Sequence, residues 1–506
     1  KSKEKQMQPN SFEDIRTQLG GKSPTQIIEI INTLKEENKN YQEQLEKIGD
    51  AEYQEQLKKD KSNLQDQVEQ LTQNIGRKQY ELNQLKVKIT NLDGLKEINK
   101  TLELHNQALK EAQNQLRLEL NELTSKNENK AIFTEFMKID ENCNSEYRGF
   151  YRSHTLNDFI NAIGYALQEK WNLYYEPKVI RLFVAGLAMS RLHMLQGISG
   201  TGKTKLAQAF ADVVGGEKDC CQTISVQAGW RDNQDLLGYY NAFEKKFYEK
   251  PFSKAIYMAS TPKYKDRLVF ILLDEMNLSH PEQYFADFLS ALEQTKNVSD
   301  PFDIELLSGI AQNVIKGKNW PQYLNGEKIR IPSNVWFIGT ANHDETTMEF
   351  ADKTYDRSHI MIMERNERKT NYNEVELKSC HWNIKNIFEA FDQAKQDHER
   401  ETKWVKEKLA AIKNVLEEEF EVSFGNRLDR QIDSFVPVLC AAGGTQNEAI
   451  DHLIATKIIR KGKVTGLFGV KKESLENLKK IIMNNIGLKE DSATIRLLNR
   501  DIKSKE

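Results

Sequence analysis

Eight residues, Gly197-Ile198-Ser199-Gly200-Thr201-Gly202-Lys203-Thr204, constrain this 506-residue chain more than any others. They match GxxxxGK[ST] in full, with an apolar run at 192–195 before them and a helical pattern at 205–213 behind. Such a loop needs glycines so that backbone N–H groups can turn inward onto a phosphate. It needs a lysine to reach the outer phosphate oxygens and a hydroxyl to hold Mg²⁺. Gly197, Ser199, Gly200, Thr201 and Gly202 form the candidate cradle, Lys203 takes the lysine role and Thr204 the hydroxyl role.

Two further segments read as strands of the same layer. Residues 268–273 are six consecutive apolar side chains, a strand buried on both faces, and Asp274-Glu275 stand at its carboxyl end. Asp274 is placed to join the Mg²⁺ shell, and Glu275 to orient or deprotonate an attacking water. A second apolar run, 335–340, ends in Ala341-Asn342, and an amide at that tip can sense a terminal phosphate and hold the water against Glu275. Downstream, Arg357 stands where an arginine can reach a neighbouring subunit's nucleotide; taken alone, such a residue is more often a surface arginine. Strand-like runs alternating with helical patterns predict a parallel α/β sheet flanked by helices. Strand signals stop after about residue 371, and 404–419 and 472–485 read as helix.

The amino-terminal quarter has a different character. No proline falls between Pro24 and Pro177, and Leu57, Leu64, Leu71, Leu85 and Leu92 interleave with Val68, Ile75, Leu82 and Ile89 at heptad spacing. Apolar a and d positions sustained in this way specify a coiled coil, because a lone helix cannot bury so narrow a stripe. A second register, Leu102, Leu109, Leu116 and Leu123, follows a ten-residue step containing Gly94; hairpin tip and local stammer are both open readings. The expected organisation is a flexible lead-in (1–25), a coiled coil (26–128), an α/β nucleotide-binding core (129–370) and a helical lid (371–506).

Charge and cysteine usage narrow the classes. Residues 1–130 carry 21 basic and 22 acidic side chains, and the whole chain 72 against 75, so neither is a wholesale polyanion binder. No run of 18 apolar residues exists, so no membrane helix and no membrane partner are expected. Five scattered cysteines without a CxxC suit reduced thiols and a cytoplasmic protein. Nine histidines without HExxH or a Cys/His cluster argue against structural zinc. The chain opens at Lys1 without Met, which fits a piece of a longer protein. The basic residues Arg460, Lys461, Lys463, Lys471 and Lys472 read as an ordinary solvated face.

The order of P-loop, Asp-Glu strand, Asn strand and arginine, with a helical region behind it, resembles the AAA+ ATPases. More narrowly it resembles the McrB-like branch, related to the dynein and MoxR ATPases. Supporting stretches are Trp230-Arg231-Asp232 with Asp235-Leu236-Leu237-Gly238-Tyr239-Tyr240, Asp274 to Leu278 running into Tyr284 to Leu289, and residues 339–347 leading to Asp356-Arg357. Phe424-Gly425-Asn426-Arg427 resembles the start of that branch's sensor-2 helix, which implies Arg427 as a γ-phosphate contact in cis. The resemblance covers about residues 175–460 and leaves out the coiled coil. The sequence Ala341-Asn342-His343-Asp344 departs from McrB's own Met-Asn-Thr signature, so ATP and GTP both stay open.

The resemblance implies a ring oligomer, hexameric in the family pattern, hydrolysing ATP or GTP with Mg²⁺. Glu275, Asn342, Arg357 and Arg427 would be catalytic, and Thr204 and Asp274 would be the metal ligands. It further implies restriction or anti-phage defence, with cutting supplied by a separate McrC-like subunit and DNA as a candidate partner. Two alternatives stand beside it: a MoxR-like protein-remodelling chaperone, and a coiled-coil scaffold that merely binds nucleotide.

Overall fold

The apolar run expected as a two-sided strand is β3, Val269–Asp274, whose first five residues are fully buried. It lies in a five-stranded sheet with β1 (Leu192–Gly197), β2 (Cys221–Ser225), β4 (Val335–Asn342) and β5 (His359–Ile362). The order is β5-β1-β4-β3-β2, and every pairing is parallel. Parallel strands need crossover helices on both faces, which is why β1, β3 and β4 have almost no exposed residue. The computed structural model describes residues 24–45, 55–79, 81, 110, 131–151, 155–242, 244–307, 320–342, 350–365, 370–460 and 469–505.

The chain divides into two units, Lys1–Leu123 and Thr124–Glu506. In the first, helix Pro24–Leu45 and a helix over 55–79 are described. Residues 57, 61, 64, 68, 71, 75 and 78 of the second helix are less exposed than all their neighbours, a heptad stripe that includes Leu57, Leu64, Val68, Leu71 and Ile75. Asn38 Nδ2 donates to Lys61 O at 3.5 Å, late in one helix and early in the next, as in an antiparallel pair. Leu82 to Leu123, with the Gly94 step, lie outside the described residues apart from the single position 110, as does most of the lead-in.

In the second unit, helices Lys203–Gly215, Glu399–Phe420 and Lys472–Ile486 cover the stretches read as helix at 205–213, 404–419 and 472–485. Helix Leu156–Trp171 is capped by Thr155, whose hydroxyl accepts from Asp158 N at 3.1 Å, and helix Pro177–Met189 opens on a proline at its first turn. No strand follows Ile362 among the described residues, and four long helices fill the carboxyl region: Ile384–Asp397, Glu399–Phe420, Asn426–Ala441 and Lys472–Ile486. Asn426–Ala441 packs along Pro177–Met189, and the π-helical turn Ile454–Ile459 packs on β5. Arg181 bridges to Glu448 at 3.2 Å across this interface.

Several elements were not expected from sequence: the edge strands β2 and β5, the hairpin Gly238–Asn241 with Lys246–Glu249, and a small antiparallel sheet of Phe302–Glu305, Lys328–Ile331 and Leu324–Asn325. Arg191, 2% exposed, ties this small sheet to the large one. Its guanidinium donates to the carbonyls of Val335 (3.0 Å), Asp300 (3.1 Å) and Pro332 and lies over the Phe302 ring. Burial lowers its pKa to about 9, and the carbonyls replace the water it gives up. All five cysteines are free thiols; burial pushes those of Cys220, Cys221, Cys380 and Cys440 up to about 12.

Candidate functional site

The P-loop links the end of β1 to helix Lys203–Gly215, with Gly202 as the helix N-cap at φ 84° and Gly200 at φ 81°. Both lie in the left-handed region, where a side chain is strained. A Cβ on Gly202 would also sit 2.9 Å from the Tyr175 hydroxyl, which donates to Gly202 O at 3.1 Å. A Cβ on Gly197 would meet Met363 O at 2.5 Å. Lys203 is buried, and its ammonium donates to Gly197 O (3.0 Å) and Ile198 O (2.8 Å), lying across the mouth of the loop. Thr201 Oγ1 donates to Ile198 O at 3.0 Å and closes the turn; Ser199 and Gly200 stand on its exposed side.

Opposite the loop, at the carboxyl ends of the strands, four more polar side chains meet. Thr204 Oγ1 and Thr340 Oγ1 both donate to Asp274 Oδ1, at 2.8 and 2.7 Å. Thr340 Oγ1 in turn accepts from Glu275 N at 2.9 Å. Asn342 Nδ2 stands 3.5 Å from Glu275 Oε1. The register explains the convergence: Leu273 pairs with Gly339, so the next residues along, Asp274 and Thr340, fall side by side. Glu275 adopts φ 55°, ψ 48°, a left-handed conformation that costs roughly 1 kcal/mol for a residue with a Cβ. The hydrogen bond from its amide to Thr340 secures that turn and aims the side chain away from β3 toward Asn342.

Thr340 is the residue that sequence reasoning missed. Its signal was a hydroxyl among apolar neighbours in β4, two positions before Asn342 and therefore on the same face. The oxygen donors fit Mg²⁺·nucleotide: a threonine hydroxyl and a carboxylate oxygen lie in contact beside a glycine-lined loop whose lysine ammonium lies against two of its carbonyls. Thr204 and Asp274 would hold the ion.

The sequence-chosen arginines are gathered elsewhere. Arg357 ends helix Asp352–Arg357, and its carbonyl accepts from Ser190 Oγ at 2.6 Å, just before β1 begins. This is the amino edge of the sheet. The six residues of β1 separate it from the P-loop by roughly 20 Å at ~3.3 Å per residue. Arg427 stands at the same edge: Arg357 and Arg427 each pair with Glu293, through different carboxylate oxygens, and Arg427 also faces Asp356 at 3.8 Å. In this arrangement Arg427 thus stands beside Arg357 and Glu293. The cause is the packing of helix Asn426–Ala441 along Pro177–Met189, fixed by Gln431 donating to Asp356 O at 2.8 Å.

The Trp230 segment packs beside the Asp-Glu strand. Asp232 and Asp235 form a reciprocal capping box on helix Asn233–Leu237, Trp230 meets Tyr284 edge-on at 5.4 Å, and Ser279 donates to Trp230 O. Of the basic carboxyl-terminal residues, Arg460 pairs with Asp352 and lies over the Tyr355 ring, while Lys461 and Lys463 fall outside the described residues.

No protein-family model matches the chain. Over 229 residues it is 20% identical to the McrB subunit of the EcoK type IV methyl-directed restriction enzyme of Escherichia coli K12, a match covering 44% of this chain and 46% of that protein. The chain thus spans about half the length of the curated relative it matches. Among solved structures, an ATPase candidate from Cytophaga hutchinsonii aligns over 65% of this chain and 92% of its own at 12% identity and TM-score 0.38. Hsp104 of S. cerevisiae in complex with ADP aligns over 56% and 44% at 17% identity and TM-score 0.24. No helix among the described residues is long and apolar enough to cross a membrane.

Proposed function

We propose that this chain, a McrB-like AAA+ NTPase, hydrolyses ATP or GTP with Mg²⁺ as a ring oligomer, hexameric in the family pattern. It would serve as the motor of a McrBC-like restriction or anti-phage defence system and drive a McrC-like nuclease partner on DNA. The observation that carries the hydrolytic part is the joined set Thr204–Asp274–Thr340–Glu275–Asn342 facing the P-loop. A scaffold that only bound nucleotide would have no use for a carboxylate held in a strained turn beside an amide.

In this reading the loop amides and Lys203 hold the phosphates, and the ammonium exchanges its carbonyl partners for phosphate oxygens. Mg²⁺ bound at Thr204 and Asp274 would neutralise phosphate charge. Glu275 takes the proton of the attacking water, and Asn342 orients both. Arg357, remote from its own P-loop, completes the site of the next protomer.

The test is hydrolysis of ATP and GTP side by side over a protein concentration series, with and without DNA, beside Glu275→Gln and Arg357→Ala. Turnover that rises steeply with concentration and collapses in both variants, while Glu275→Gln still binds nucleotide, is the expected result. Stimulation by DNA supports the restriction role; its absence favours a motor acting on protein. Turnover independent of concentration and indifferent to Arg357 would sink the oligomeric motor.

A further inference from the structure

We infer, on the proposed reading of Glu275 and Asn342 as the pair that handles the attacking water, that Asn277 is a positioning residue for that pair. Its side-chain amide takes over where the β3–β4 ladder stops and fixes the tip of β4, with the Asn342 amide on it, against Glu275.

The end of the ladder creates the need. β4 runs on to Asn342, but its pairing with β3 ends at Leu273–Gly339, and the chain turns out of the sheet at Glu275. Thr340, Ala341 and Asn342 stay paired with Leu195, Gln196 and Gly197 of β1 on their other side. On the β3 side, two side chains replace the missing strand. Thr340 Oγ1 accepts from Glu275 N, and Asn277 Nδ2 donates to Asn342 O at 3.1 Å. Thr340 thus secures the turn, whereas Asn277 secures the tip that carries the amide.

Asn277 can hold the tip because its own backbone is tied down on several sides. It lies in the short helical turn Met276–Leu278, where Leu278 N donates to Glu275 O at 2.9 Å and the Tyr284 hydroxyl donates to Met276 O at 2.9 Å. The next residue, Ser279, donates to Trp230 O. The Asn277 side chain is 3% exposed, and its Oδ1 is buried with no hydrogen-bond partner among the described residues. An unpaired buried carbonyl carries a penalty that an apolar side chain of the same branched shape would not. Packing alone therefore gives no reason for an amide at this position; the N–H aimed at Asn342 O does.

The separation under its control is a sensitive one. Asn342 Nδ2 stands 3.5 Å from Glu275 Oε1, at the long limit of a hydrogen bond, so a small shift of the tip makes or breaks the contact.

The test compares turnover, affinity and stability in the full chain. Asn277→Leu removes the donor together with the orphaned oxygen and keeps the branched shape. Its melting temperature should stay within about 3 °C of wild type, as for a swap without a large change of volume. Affinity for ATP or GTP should stay within about twofold, while turnover at saturation falls about fivefold or more, the scale of one lost hydrogen bond. Asn277→Ala, which opens space instead of filling it, should show the same split between affinity and turnover. Because Asn277 acts through Asn342, the two losses should not add: in an Asn342→Ala background, Asn277→Leu should change turnover by less than about twofold. A further readout needs no hydrolysis. Backbone amide exchange over 338–342, without nucleotide, should be about fivefold faster in Asn277→Leu, with exchange over 192–195 unchanged.

Wild-type turnover in Asn277→Leu would overturn the inference, as would a cost that persists undiminished in the Asn342→Ala background. Weaker nucleotide binding at unchanged turnover would put Asn277 at the phosphates instead, and a lower melting temperature with affinity and turnover falling together would make it a packing residue. If the wild-type chain hydrolyses neither nucleotide, it is the function proposed above that fails. The exchange measurement then judges Asn277 alone, and unchanged exchange over 338–342 would show that it does not hold the tip.

Discussion

Acidification from pH 7 to pH 5 should loosen the carboxyl-terminal helices from the sheet, because three neutral histidines are sealed between them. His193 on β1 and His359 on β5 pair in register with ring centroids 4.8 Å apart, and His359 Nε2 lies 3.0 Å from Nε2 of His452 on helix Gln446–Leu453. Burial holds the pKa of His193 down at about 4 and that of His452 at about 3, and that of His359 lies well below its usual value. The Gly186 and Ser190 carbonyls offset only part of the effect on His193. The charges acting on the cluster are Lys178 and Lys457, both cationic and both opposing protonation. A histidine whose pKa is depressed on folding contributes its full stability above the unfolded value near 6.5 and loses it as pH falls toward the folded value. For His193 and His452 this amounts to about 2 kcal/mol each by pH 5.

The assay is chemical denaturation at pH 7 and pH 5, of wild type and of His452→Gln, whose amide can still bond to His359. The variant should lose about 2 kcal/mol less over the interval, since it lacks one of the titrating rings. Equal pH dependence in the two proteins would refute the reasoning, because it would mean that the rings are hydrated, or protonated, in the native state.

Two other outcomes follow from single contacts. Thr340→Val keeps the shape but leaves Glu275 N without its acceptor and Asp274 with the Thr204 hydroxyl but without that of Thr340; turnover should fall by about tenfold, the scale of a lost buried hydrogen bond, with nucleotide affinity nearly kept and Thr340→Ser close to wild type. Normal turnover in Thr340→Val would show that the turn at Glu275 holds without it. Gly186→Ala sets a Cβ 2.1 Å from the ring of His359, and overpacking of this kind typically costs ~1–3 kcal/mol, so the melting temperature should drop by several degrees; an unchanged melting curve would mean that helix Pro177–Met189 can shift off β5.

What could be read from the sequence was whatever a residue declares through its own neighbours. Lys203 and Thr204 are declared by the loop that contains them, Asp274 and Glu275 by the apolar strand they end, and Asn342 by the strand that leads to it. β2 was not legible, because Cys221–Ser225 alternates weakly and draws its place from β3 alongside it. β5 carries the signal of a buried strand only once His359 is known to be neutral and enclosed. Thr340 looked like any strand threonine until register brought it beside Asp274.

The arginines show where local reading stops. Arg357 and Arg427 lie 70 positions apart, and nothing near either one indicates that Glu293 joins them. That meeting is set by how helix Asn426–Ala441 lies along Pro177–Met189, a packing decision spread over many apolar contacts. A motif can thus fix which residues touch a phosphate within one loop, whereas the fold decides whose phosphate a distant arginine can touch. Here helix packing sets both arginines at the sheet edge opposite their own P-loop.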